Sequence, residues 1–418
     1  MTTSTEPIAP VFSRPSFVMR KTQAAPSNLC FNLLLLFVVC LYAIPSQLIP
    51  ALAVWHPTQV FAVSALALLI LQKLTLGQSF VVVWPDGYLL LAFVGAAALS
   101  SLSAFWPLRA YEASLDLIRI LVLYLLVVNT VVSEERLRAL VLAMIVGGLF
   151  PALGTLNSYM HGDLIEGRAH WIGIFGNPNE LAYILVMLVP LAAVLSGRAR
   201  IPMRIMLWTA ICVYVAAIYL TFSRGSLIGL LGVVALLAIR QRGVFLKLVV
   251  GVLLAGGLVF MATSWTRSAG LSNIEQDYTF RQRIATLKAG VAMFAAHPLV
   301  GVGINCAVVA FPIYAPDEFR YRNALVIHNT IVQALSETGV LGFVPFALLF
   351  TCGLYHARRL ASSKGLQPAG RRIAVGLEIS LWGAMICGLS GGFLLSWFPY
   401  LVVALIASTR QIAAATAE

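Results

Sequence analysis

Apolar runs of about twenty residues, separated by short polar interruptions, recur along nearly the whole chain. A bilayer core of about 30 Å is crossed by roughly 20 apolar residues in helical form, so each run predicts a membrane-spanning helix. The runs lie near 29–50, 58–76, 87–105, 113–132, 137–157, 180–197, 204–221, 225–239, 244–263, 327–355, 372–391 and 394–409, about twelve in all. The first 28 residues break the pattern, being polar and interrupted by Pro7, Pro10, Pro15 and Pro26. They predict a disordered cytoplasmic tail and not a signal peptide, because the apolar run that follows leads into further spans and not into a cleavage site. The expected fold is therefore all-α, a polytopic membrane helical bundle. Spans one to nine fill 29–263, one large periplasmic loop with short helices fills 264–326, spans ten to twelve fill 327–409, and 410–418 is a second cytoplasmic tail.

The loop over 264–326 is far longer than a connection between spans requires, and long structured insertions commonly carry function. Within it, residues 279–296 have helical spacing. Ile284, Leu287, Val291 and Phe294 fall on one face, with Arg281, Arg283 and Lys288 among the others. Pro298, Gly301 and Gly303 break that helix. A shorter outer loop near 158–179 ends in GNPNELA, which predicts a helix capped by Asn179 with its backbone N–H groups facing outward.

Composition agrees with the pattern. The 418 residues are 60% hydrophobic and 11% charged, where a soluble domain carries roughly a quarter charged residues. A net charge of +12 would suit nucleic acid, but most Lys and Arg fall in alternate loops. Arg14, Arg20, Lys21, Arg198, Arg200, Arg204, Arg358, Arg359, Lys364 and Arg371 all lie on one side if the N-terminus is inside. The positive-inside rule reads such a bias as topology, placing both termini in the cytoplasm and leaving no nucleic-acid partner to explain. The six cysteines are scattered, and no disulfide or metal framework follows from their spacing.

Basic residues on the scarce outer side are the candidates for chemistry. Arg224 stands in TFSRGS between two apolar spans, Arg168 in EGRAHW, and Arg281 and Arg283 in YTFRQRIATLK. A guanidinium at the membrane surface costs desolvation energy and is commonly functional or paired, and its planar fork matches phosphate oxygens. Arg119 is expected to pair with Asp116 or Glu112 at helical spacing. His328 opens the tenth span, and an imidazole there can accept a proton from a hydroxyl. No ligand set for zinc surrounds it. Several arginines for an anion and one histidine for a proton suit a transferase whose leaving group is a phosphate. A carrier would also suit twelve helices and intramembrane charges, but neither repeated halves nor broken midplane helices are visible.

Three stretches carry a family resemblance. His328-Asn329, nine residues, Gly339, two residues and Gly342 resembles the signature of the bacterial O-antigen ligase superfamily, which also holds polysaccharide polymerases and protein O-oligosaccharyltransferases. GIFGNPNELA at 173–182 and TFSRGSLIG at 221–229 are similar to two further stretches of that family, in the same order. The resemblance implies a multi-pass protein of the bacterial inner membrane with its active site facing the periplasm. The implied reaction is a metal-independent, cofactor-free, inverting transfer of a glycan from undecaprenyl diphosphate to an acceptor hydroxyl, either lipid A–core or a growing polysaccharide. It implies that His328 is the general base and that Arg224, with Arg283 or Arg281, contacts the diphosphate. Arg168, Asn177, Asn179 and Asn329 complete the expected substrate-binding set.

Overall fold

The computed structural model describes residues 26–240, 278–320 and 325–417, with residues 251 and 256. Helices α1 (Asn28–Ala43), the single turns α2 (Pro45–Leu48) and α3 (Pro50–Ala53), α4 (Pro57–Thr75), α5 (Asp86–Ser100), α6 (Pro107–Thr130) and α7 (Glu134–Met160) come first. A two-residue hairpin follows, β1 (Leu164–Ile165) antiparallel to β2 (Arg168–Ala169). The chain continues through α8 (Pro178–Ser196), α9 (Ile201–Leu220), α10 (Arg224–Ile239), α11 (Tyr278–Ala296), α12 (Ala307–Tyr314), α13 (Thr330–Leu360), α14 (Pro368–Gly388) and α15 (Trp397–Ala417).

Among the described residues eight helices are long and apolar enough to cross a membrane, and α1 and α10 are shorter apolar helices of 16 residues each. The expectation of twelve spans is thus met in part. The run at 29–50 ends early, because Ile44 adopts a left-handed conformation and Pro45 and Pro50 each start a new turn. The run at 372–391 is helical as α14 but holds Arg371, Arg372 and Glu378. The run at 244–263 lies outside the described residues.

Helix α8 is the hub. Nearly every residue from Leu181 to Ala192 is buried, and it packs against α7, α9, α10 and α14. Close approach comes from small residues, as expected where lipid removes the hydrophobic drive between helices. A polar contact accompanies it: Ser380 on α14 donates to Met187 O on α8 at 2.8 Å.

Helix α13 is broken at Gly339, whose φ of 59° and ψ of −164° lie outside the helical region. In an unbroken helix Val340 and Leu341 would donate to Ser336 O and Glu337 O. Here they donate to Pro298 O (2.8 Å) and Leu299 O (3.2 Å), while Ser336 O and Glu337 O accept from Val302 N (2.8 Å) and Gly303 N (3.1 Å). The loop 298–303 therefore replaces two rungs of the helix with four hydrogen bonds. This pairs the two N–H and two C=O groups of the lost rungs, as apolar surroundings demand. Gly301 permits the contact, since a Cβ there would lie 2.4 Å from the Glu337 carbonyl carbon.

Helix α11 corrects the sequence-based face. Its buried residues are Ala285, Thr286, Ala289 and Met293, whereas Ile284 and Val291 are exposed. The small face wins because it lets α11 approach α13, with a Cβ on Gly290 falling 2.5 Å from Val332 Cγ1.

Candidate active site

His328 sits on the extended segment 325–329 immediately before α13. That segment is clamped on both sides of the helix start. Asn329 caps α13, its side-chain oxygen accepting from the N–H groups of Ile331 and Val332 at 3.0 Å each, and its Nδ2 donates to Leu389 O at 3.1 Å. Such a cap stabilises by about 1 kcal/mol. Thr330 Oγ1 donates to Gly391 O (2.8 Å) and accepts from Phe393 N (3.0 Å). The turn 389–393 after α14 thus fixes the backbone beside the imidazole.

The same turn reaches the other stretches. Tyr183 on α8 donates its hydroxyl to Ser390 O at 3.0 Å. Gly225, second residue of α10, lies so close to Ser390 that a Cβ would meet its Oγ at 1.8 Å. Arg224, the first residue of α10, is therefore on the same end of the bundle as His328, exposed, and behind the N-cap Ser223. Arg168, on β2, donates its Nε to Thr221 O at 2.7 Å and a terminal nitrogen to Asn179 Oδ1 at 2.5 Å. It ties the hairpin to the start of α8 and to the turn before α10.

The start of α8 differs from its sequence reading. The cap is Asn177, whose side chain accepts from Asn179 N at 2.9 Å, with Pro178 at the first helical position. A proline has no N–H to satisfy and suits that position, so the cap moves two residues back and Asn179 is released to hold Arg168.

Burial, with the positive charges of Arg283 and Arg168, pushes the His328 imidazole down from its ordinary 6.5 to about 4. Both guanidiniums therefore act on the imidazole, and it is neutral near pH 7. The two loop arginines part company: 283 and 281 are two residues apart on a helix, about 200° in rotation. Arg283 acts on His328 and on Tyr183. Arg281 instead pairs with Glu318 on the rim of a depression of about 250 Å³ lined also by Phe280, Ile284, Lys288 and Phe319. Arg119 pairs with Asp116 at 2.5 Å on α6, away from this end's turn.

Sequence reading missed the turn LSGGF at 389–393, whose first three residues it placed in the eleventh span, and the buried Glu337, which accepts from Asn305 N at 2.9 Å. The signal for the first was the Ser-Gly-Gly run between two apolar stretches. Among the described residues no group of three or more His, Cys, Asp or Glu side chains gathers as a metal site would require, and the cysteines are free.

No curated protein matches the chain. One solved structure, reported as "Structural coordination of polymerization and crosslinking by a peptidoglycan synthase complex", contains a chain that is similar at 17% identity over 78% of this chain and 98% of its own length. The TM-score is 0.46. Residues 206–347, the segment that contains Arg224, Arg283, His328 and Gly339, match the model of the O-antigen ligase family.

Proposed function

We propose that this membrane protein transfers a glycan from a lipid-linked diphosphate, undecaprenyl diphosphate, to a hydroxyl of lipid A–core on the periplasmic side. The observation that carries the reading is the placement of a neutral His328 within the electrostatic reach of Arg283 and Arg168, in a chain that matches the O-antigen ligase family. In the proposed step the acceptor hydroxyl attacks the anomeric carbon and passes its proton to His328. The bond between that carbon and the phosphate oxygen breaks, and the diphosphate leaves with the electron pair. Attack opposite the leaving group inverts the anomeric centre.

Guanidiniums at the leaving diphosphate stabilise charge that grows in the transition state. Arg283 and Arg168 are assigned to that task, with Arg224 contributing from the neighbouring turn. Donor binding also repairs the weak basicity of His328. The anion offsets the two positive charges that depress the imidazole, so the base strengthens when a substrate is present.

The test is reconstitution in liposomes with lipid-linked glycan and purified lipid A–core. His328→Ala should lower transfer by about 10²- to 10⁴-fold, the range for removing a general base, at unchanged expression. Turnover equal to wild type removes His328 from the reaction. Elongated lipid-linked glycan without attachment to lipid A–core replaces ligation by polymerisation.

A further inference from the structure

At the end of the bundle opposite His328, Glu134, the first residue of α7, turns its carboxylate to the start of α14. It accepts from Gln367 N at 2.7 Å and Gly370 N at 3.0 Å. Six residues further along α14, Gly376 lies against α8, where a Cβ would meet Val194 Cγ2 at 2.7 Å. Arg372 falls between these two contacts and is half-buried. Arg138 lies one turn along α7 from Glu134, and Arg198 follows the last residue of α8 by two.

Three helix ends that carry an arginine each therefore meet here, and Arg198 and Arg138 both act electrostatically on Arg372. Among the described residues none of the three forms an ion pair with a carboxylate. The acids at hand are engaged: Glu134 on the α14 N–H groups, Glu135 by Ser133, and Glu378 by Arg240 and Arg358. Like charges held together at a partly desolvated surface repel, and a shared anion turns that repulsion into attraction. The guanidinium fork suits phosphate oxygens. Basic pockets between membrane helices take acidic lipid head groups.

We propose that Arg138, Arg198 and Arg372 form a binding site for a phosphate anion at the membrane surface, of the kind carried by an acidic phospholipid head group. The full-length chain in neutral detergent is titrated with phosphatidylglycerol, phosphatidylcholine and inorganic phosphate while its melting is followed. Phosphatidylglycerol should raise the melting temperature by about 4 °C near hundredfold excess over its dissociation constant, and the rise should vanish in Arg372→Gln. Phosphatidylcholine should do little. An equal rise with inorganic phosphate, lost in the same variant, keeps the site and assigns its anion to a free source. Arg198→Gln, on the exposed turn after α8, provides the same readout if Arg372→Gln does not fold. A phosphatidylglycerol effect that survives in every folded variant of the three, or no effect in wild type, overturns the site.

Discussion

At the scale of single residues, His328 makes the sharpest prediction. Its folded pKa of about 4 lies below the ordinary 6.5, so the unfolded chain binds the extra proton first. Between those values stability falls as the pH is lowered, and above 6.5 the residue contributes no pH dependence. In the proposed reaction the neutral form is the base. The acid limb of kcat/KM, which reports the free protein, should fall near pH 4, and the limb of kcat should lie higher because bound diphosphate raises the imidazole. Arg283→Gln removes one depressing charge, so the kcat/KM limb should move up from about 4 towards 6.5 while the rate drops. A pH–rate profile identical to wild type would separate Arg283 from the histidine. None of this was visible from spacing, because which of two neighbouring arginines faces the imidazole depends on how α11 is rotated against α13.

At the scale of elements, the helices were legible where apolar length decides and illegible where close packing decides. Helical spacing in 279–296 picked out the face of Ile284, Leu287, Val291 and Phe294, and α11 buries its small residues instead, because Ala289 and Gly290 allow backbones to approach. The cap of α8 was misplaced for a local reason, since Asn177 and Asn179 both suit a cap and only Pro178 between them distinguishes the start. The break in α13 was legible only as a glycine spacing. Gly339 holds a positive φ, and a Cβ there would lie 2.3 Å from the Leu299 carbonyl. Gly339→Ala should therefore destabilise by at least ~2 kcal/mol, the order of the strain of a side chain in that glycine-only backbone region with the clash added, and should reduce transfer with it. Thermal melting alongside activity checks this, and an unshifted melt would mean that the break relaxes without cost.

At the scale of the whole molecule, the positive-inside pattern is the basis of the proposed orientation, and the helix ends agree with one another about which loops share a side. The hairpin loop lies at one end of α7, and the α13–α14 loop lies at the other, since Glu134 at the start of α7 caps α14. In a cysteine-free background, an impermeant maleimide should label Asp163→Cys in intact cells and Lys364→Cys only after lysis. Labelling of both from outside would contradict the proposed orientation. What hydropathy could not convey is which loops meet. The turns at 221–226 and 389–393, the hairpin and the segment before α13 are far apart in sequence and adjacent because α8, α10 and α14 pack against one another. The replacement of two helical rungs by the 298–303 loop has a practical corollary for chimeras. A graft that swaps the outer segment alone, or the tenth span alone, would strand polar backbone on both sides of the junction. Residues 298–303 and 336–341 are therefore expected to tolerate exchange only when moved together.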